Sequence, residues 1–272
     1  LERYQDACEL FRGHLEMATL YRLSAGRQRV ELLQLLFPDG IENPPRLETV
    51  LAQCFALNAL ASAYHACGEP SQAIPLYRRA IGISERDKYT TNAAVGLSNL
   101  TETLRLSGEL RECWSAILRS VELAREQRDC FQEGIAERWC GLVLAACGKR
   151  TNSGTVLQRS LKVFTNEGAQ QSECLAYASL AERFLWFCEP TRALPLALRA
   201  WELAAVDSHE ADCIRAARLH GTAALGLNDL DIARERLQHA LSRARAVSRV
   251  DEELPALIAL AELHRRNNEP AT

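Results

Sequence analysis

Apolar residues recur at three- and four-residue steps through 50–66 and again through 71–84, the spacing that lines one face of an α-helix. Between the two stretches stands CGEP (67–70). Nearly the same letters return as FCEP (187–190) and NNEP (267–270), at separations that are multiples of 40 residues. Aligned on the turn, the series runs Gly68, Gly108, Gly148, Cys188, Asn228 and Asn268. Seven residues before each turn the side chain is small in every copy: Ala61, Thr101, Gly141, Ala181, Gly221 and Ala261. Five residues after it come Ala73, Cys113, Ser153, Ala193 and Ala233. Larger residues mostly hold the places between, as at Tyr64, Leu104, Leu144 and Phe184 before the turn, with Tyr77, Ile117, Leu157, Ala197 and Leu237 after it. A small residue at a fixed place lets two helix axes approach, and a large one fills the space beside it.

Each 40-residue unit therefore reads as two helices joined by a tight turn. Gly68 and Asn268 suit the left-handed residue that ends a helix, and Pro70, Pro190 and Pro270 suit the first turn of the next. Helix pairs are predicted over 91–127, 131–166, 170–206 and 209–248, with a lone first helix at 251–267. Residues 1–45 read as a divergent pair, with helices near 2–24 and 27–37 and the loop FPDGIENPP (37–45), too rich in Pro and Gly to stay helical. Residues 46–272 form the array, with turns at 68, 108, 148, 188, 228 and 268. A sixth unit opens and the sequence stops at Thr272 with no polar cap, the pattern expected of a chain that continues.

The stretch LNALASAYHACGEPSQAIPLYRRAI (57–81), with Ala61, Tyr64, Gly68, Ala73, Tyr77 and Ala80, resembles a tetratricopeptide repeat. The resemblance runs through nearly the whole chain, although the usual unit is 34 residues and this one is 40. Lengthened units resemble the helical sensor regions of bacterial signal-transduction ATPases with numerous domains, of the maltose-regulon activator type, and kinesin light chains also lengthen their repeats. The fold implied is all-α, a right-handed superhelical solenoid of about six hairpins. The function implied is a non-catalytic sensor or scaffold that binds a protein or peptide in its concave groove, within a larger signalling ATPase. A sugar or other metabolite in the same groove is the alternative.

By the same resemblance, the second, fifth, ninth and twelfth places of each first helix line the groove. They are Phe55, Asn58, Ser62 and His65, then Ser98, Glu102 and Arg105, then Arg138 and Leu142, then Glu182 and Leu185, then Arg215, Arg218 and Thr222. Trp139 and Trp186 lie beside them, where each serves equally well as packing between hairpins. The two-carboxylate clamp of chaperone-binding repeats needs Lys and Asn at set places, and only Asn58 fits, so that class of partner is rejected.

Composition narrows the classes further. Hydrophobic residues make up 47% and charged residues 25%, ordinary for a soluble domain, and aromatics only 6%, which favours helices packed through small side chains. A formal charge of −3 gives no general field for nucleic acid or anionic lipid, and no apolar run is long enough to span a membrane. The basic helix RERLQHALSRARAVSR (234–249) reads as a solvated outer face, because acids flank it and stacking aromatics are absent. Ten cysteines show no metal spacing and read as reduced packing residues of a cytoplasmic protein.

No catalytic motif survives, so neither an enzyme nor a cofactor is expected. In GLVLAACGKRT (141–151), Val143 stands where a phosphate loop needs its first glycine, and Arg150 where it needs Ser or Thr. The six histidines are dispersed, and His220 and His264 fall on packing positions. Arg105, Arg138 and Arg218 are expected to form a local cationic strip for an acidic segment with an apolar or aromatic anchor. On this reading, Arg138→Ala weakens partner binding by roughly 1–3 kcal/mol in a titration with little effect on folding, and Arg243→Ala on the outer helix changes neither.

Overall fold

Short helices and a run of equal long ones follow one another in the computed structural model, which describes residues 3–207 and 209–267. No strand occurs among the described residues. Helix α1 (Tyr4–Leu10) runs on through wide π-type turns at Phe11–Leu15 and Ala18–Arg22, and α2 (Gly26–Gln34) folds back beside it. Buried Arg29 ties the two together: its Nη2 donates to both carboxylate oxygens of Glu16 at 3.1 Å, and its Nη1 to Thr19 Oγ1 at 2.9 Å.

From Val50 onward the helices have one length. They are α3 (Val50–Ala66), α4 (Pro70–Arg86), α5 (Thr90–Leu106), α6 (Leu110–Glu126), α7 (Cys130–Ala146) and α8 (Arg150–Asn166). There follow α9 (Gln170–Trp186), α10 (Pro190–Asp207), α11 (Glu210–Gly226), α12 (Leu230–Ala246) and α13 (Val250–Arg266). Each spans 17 residues except α10, which spans 18. The turns explain the regularity. A left-handed residue recurs every 20 positions, at Gly68, Lys88, Gly108, Arg128, Gly148, Gly168, Cys188, Asn228 and Ser248, with φ between 55° and 78°. At each, two backbone bonds close the preceding helix, as Glu69 N–H to Tyr64 C=O at 2.9 Å and Gly68 N–H to His65 C=O at 3.0 Å. The 40-residue period is thus two equal halves of 20. The turn expected at Asn268, with Pro270 after it, lies outside the described residues.

The chain divides within α7, between Trp139 and Cys140, into two compact units. In the first, α3 packs on α4, α4 on α5 and α5 on α6, and α3 also touches α5. Tyr64, Leu104, Tyr77 and Ile117 are all buried there. In the second unit α8 through α13 pack in sequence, and α11 touches both α9 and α13. Its core is built largely of alanine, with Ala178, Ala181, Ala197, Ala200, Ala204 and Ala216 around Leu203 and Leu219. Close approach is forced where glycine faces leucine. A Cβ on Gly141 would stand 2.5 Å from Leu157 Cγ, and one on Gly221 would stand 2.7 Å from Leu237 Cγ. All ten cysteines are free thiols, and Cys54, Cys113 and Cys174 are buried with Sγ directed at the carbonyls of Ala80, Thr101 and Ala200. No described helix is long and apolar enough to cross a membrane.

Tyr77 joins these levels, since its ring is 2% exposed and its hydroxyl interacts with Ser62 and Thr103. Chemical denaturation is expected to show a loss of about 3–5 kcal/mol for Tyr77→Ala through lost burial and a cavity. Tyr77→Phe is expected to lose only about 1 kcal/mol, the hydrogen-bonding part.

Candidate functional site

The first helices present their polar residues differently in the two units. In the first, the expected inner-wall residues largely bridge neighbouring helices. Asn99 Nδ2 donates to Asn58 Oδ1 at 3.3 Å, and Thr103 Oγ1 meets His65 Nδ1 at 3.0 Å, with His65 Nε2 3.9 Å from Glu102. Ser62 faces the Tyr77 hydroxyl, and buried Ser98 shares a hydrogen bond with Ser120 at 3.2 Å. Arg105 and Arg138 both lie over Trp139, their guanidinium carbons 5.9 and 4.0 Å from the ring centroid. Arg138 and Trp139 are themselves buried, so both serve packing first.

In the second unit an open cavity of about 570 Å³ lies between α9, α11 and α13. Leu185, Leu225, Pro255 and Ile258 give it apolar walls, and Thr222, Arg218, Glu262 and Arg266 give it polar ones. Cys188 and Pro190, from the turn after α9, close one side. Ile258 is 71% exposed. Leu185, Arg218 and Thr222 belong to the register read from the sequence, whereas Pro255, Ile258 and Glu262 were missed. Carried one unit further, the same second, fifth and ninth places reach all three. Glu182 is half-buried on the same helix as Leu185, and Trp186 is exposed at its end.

The charges around this cavity are already matched. Arg218 Nε and Arg215 Nε each donate to Glu252 at 2.6 Å, and Glu252 is only 2% exposed. Burial opposes its ionisation, but attraction to Arg218 and Arg215, with their hydrogen bonds, outweighs that and holds the carboxyl below its ordinary range. Glu262 takes Arg265 at 2.7 Å and Arg266 at 2.8 Å, and Arg266 Nη1 also reaches the Leu225 carbonyl at 2.8 Å. Arg218 is therefore part of a buried ion triad rather than a free cation. The basic helix α12 behaves similarly. Arg243 forks onto Glu210, Arg245 meets Glu253 at 2.8 Å, and Arg236 lies over Trp201. Arg243 and Arg245 are more than half exposed yet each is bound to an acid in the first turn of a neighbouring helix, and Arg243→Ala would strand the buried Glu210 carboxylate. His220 is half-buried, and desolvation lowers its pKa. Among the described residues no group of His, Cys, Asp and Glu could hold a metal ion.

Residues 56–88 match the family described as Tetratricopeptide repeat. The fold is that of a tetratricopeptide-repeat array. A Rap protein complexed with competence and sporulation factor superposes with a TM-score of 0.65 at 13% identity, over 97% of this chain and 74% of that one. BtubC from P. vanneervenii gives 0.55 at 16% identity, over 83% and 90%. A signal-transduction ATPase with numerous domains and a tetratricopeptide repeat sensor, from Pyrococcus horikoshii, gives 0.56 at 16% identity. That likeness takes in 98% of this chain and 43% of the ATPase. No curated protein matches the sequence.

The buried triad sets a pH dependence. Glu252 titrates lower in the folded protein than unfolded, so its contribution is complete above the ordinary glutamate range near 4.5 and is lost as pH falls below it. Glu252→Gln, which leaves the buried Arg218 guanidinium without its carboxylate and takes one from half-buried Arg215, is expected to cost about 3–5 kcal/mol at neutral pH and to flatten stability across that acid window. Denaturant titrations from pH 3 to pH 7, on the order of four points, check both.

Proposed function

We propose that the chain is a non-catalytic recognition module that takes a protein or peptide segment into the groove formed by its first helices. The observation that carries this reading is the cavity between α9, α11 and α13, where Ile258 stands exposed among apolar walls whose flanking charges are already paired. Such a surface gains little from attracting a charge and much from covering an apolar side chain. The Rap structure, solved with competence and sporulation factor, supports a ligand on this fold. The likeness to the Pyrococcus horikoshii protein supports a place as the sensor part of a larger signalling ATPase. A metabolite is the second reading, because about 570 Å³ falls in the range of small-molecule sites.

Peptides selected from a random library against the chain test the groove. They are expected to lose about tenfold or more in affinity on Ile258→Asp, which puts a charge among apolar walls, and to bind Arg159→Ala unchanged. Equal binding to Ile258→Asp would remove the groove from the mechanism. A metabolite panel in thermal unfolding separates the second reading, through stabilisation that scales with ligand concentration and is abolished by the same substitution.

A further inference from the structure

Away from the groove floor, the hairpin tips of the second unit carry alternating cations and rings. Arg192 lies over Phe184 at 4.2 Å, Arg183 over Phe184 at 4.7 Å and over Phe187 at 5.3 Å, and Arg150 over Phe187 at 4.8 Å. Arg183 is the buried centre of this ladder, its Nε donating to Ser153 Oγ at 2.9 Å and its Nη2 to the Arg150 carbonyl at 2.6 Å. Gly154 makes room for it, since a Cβ there would stand 3.1 Å from a guanidinium nitrogen. Among the described residues one carboxylate serves the three guanidiniums. Glu189 takes Arg150 at 3.1 Å and Arg192 at 2.7 Å, which leaves two positive charges in excess. Burial lowers the Arg183 pKa, and repulsion from Arg192 and Arg150 adds to that against the pull of Glu189.

We propose that this ladder binds a phosphate-monoester dianion. The charge of such a group, about −1.5 to −2, matches the excess. The side chains of Arg150 and Arg192 are 57% and 63% exposed, yet each is stacked on a ring and held by Glu189. They face solvent already ordered, so little rotamer freedom is lost on binding. Their planar forks suit phosphate oxygens. A purely structural clamp between α8, α9 and α10 needs only Arg183, because exposed ion pairs of the outer two add little stability. Two sources share the chemistry: a phosphorylated side chain on a bound segment, and a free phosphate ester. The turn at 187–190 favours the first, since it gives Phe187 and Glu189 to the ladder and Cys188 and Pro190 to the groove.

Thermal unfolding of the whole chain, titrated with inorganic phosphate at fixed ionic strength and at about pH 7.5, where the dianion dominates, tests the proposal. Tm is expected to rise along a saturating curve. Arg150→Gln and Arg192→Gln, both at exposed positions, are expected to weaken binding about tenfold or more. Glu189→Gln, by removing the competing carboxylate, is expected to tighten it several-fold, which a structural clamp would not do. A second arm titrates a leucine-flanked phosphoserine peptide and its unphosphorylated form. Tighter binding of the phosphopeptide than of inorganic phosphate assigns the site to a phosphorylated segment, and equal or weaker binding assigns it to a free ester. A non-saturating rise shared by wild type and both arginine variants overturns the proposal, and so does unchanged affinity in Glu189→Gln. Ile258→Asp is expected to leave the phosphate midpoint unchanged, so this result and the fate of the groove reading are separable.

Discussion

Two helices can lie close only where the facing side chain is small or absent, and the described hairpins from Val50 to Ala246 are built on that constraint. Gly141 against Leu157 and Gly221 against Leu237 show it directly, since a single added Cβ would overlap the leucine. Ala61, Thr101 and Ala181 hold the same place in the other hairpins and are fully buried. The contact fixes where the second helix must cross the first. The turn then has to reverse the chain within three residues, and one left-handed residue with two backbone hydrogen bonds does so at each corner. Equal helix lengths follow from repeating that geometry. The register that brings Leu185, Thr222 and Ile258 to one cavity is a consequence of equal lengths, not a separate design.

Charge is organised by the same corners. Helix α13 begins with acids where its backbone N–H groups point outward, at Asp251, Glu252 and Glu253, as α11 does at Glu210 and Asp212. The preceding second helix ends with arginines, Arg243 and Arg245, beside its own terminal carbonyls. Each charge thus answers a helix end and a partner together, as Arg243 with Glu210 and Arg245 with Glu253 show. Thirty-two cationic and 35 acidic side chains leave a chain of −3 with little long-range field. Local imbalances stand out against such a background, and the Arg150–Arg183–Arg192 ladder is one.

The turns at Gly68, Gly108 and Gly148 were legible because glycine announces a left-handed corner and the 40-residue period aligned them. The alternate corners at Lys88, Arg128 and Ser248 were not, because those side chains carry no such signal and accept the strain under pressure from the packed helices on both sides. Leu185, Arg218 and Thr222, which line the cavity of the second unit, fall on places read from the family resemblance. The fate of the charged places was not legible. Arg218 looks free along its own helix, and only the fold brings Glu252 of α13 to within 2.6 Å of it. Nor does sequence separate Trp139 from Trp186, since each directly follows an expected inner-wall residue, Arg138 or Leu185, yet one is buried and the other exposed.

Pairing of the groove charges shapes what the groove can discriminate. A cation already held by a buried carboxylate attracts an incoming anion weakly, because neutralising it twice offers no new Coulomb energy and disturbs a dry ion pair. Around Ile258 and Leu225 the gain must come from apolar area and shape, which bind readily but distinguish poorly among similar side chains. The hairpin tips have the opposite character, with positive charge in excess on side chains more than half exposed. An anion there adds attraction that an uncharged competitor cannot supply. Where one turn, 187–190, serves both surfaces, a partner that meets them together takes its affinity from the first and its selectivity from the second.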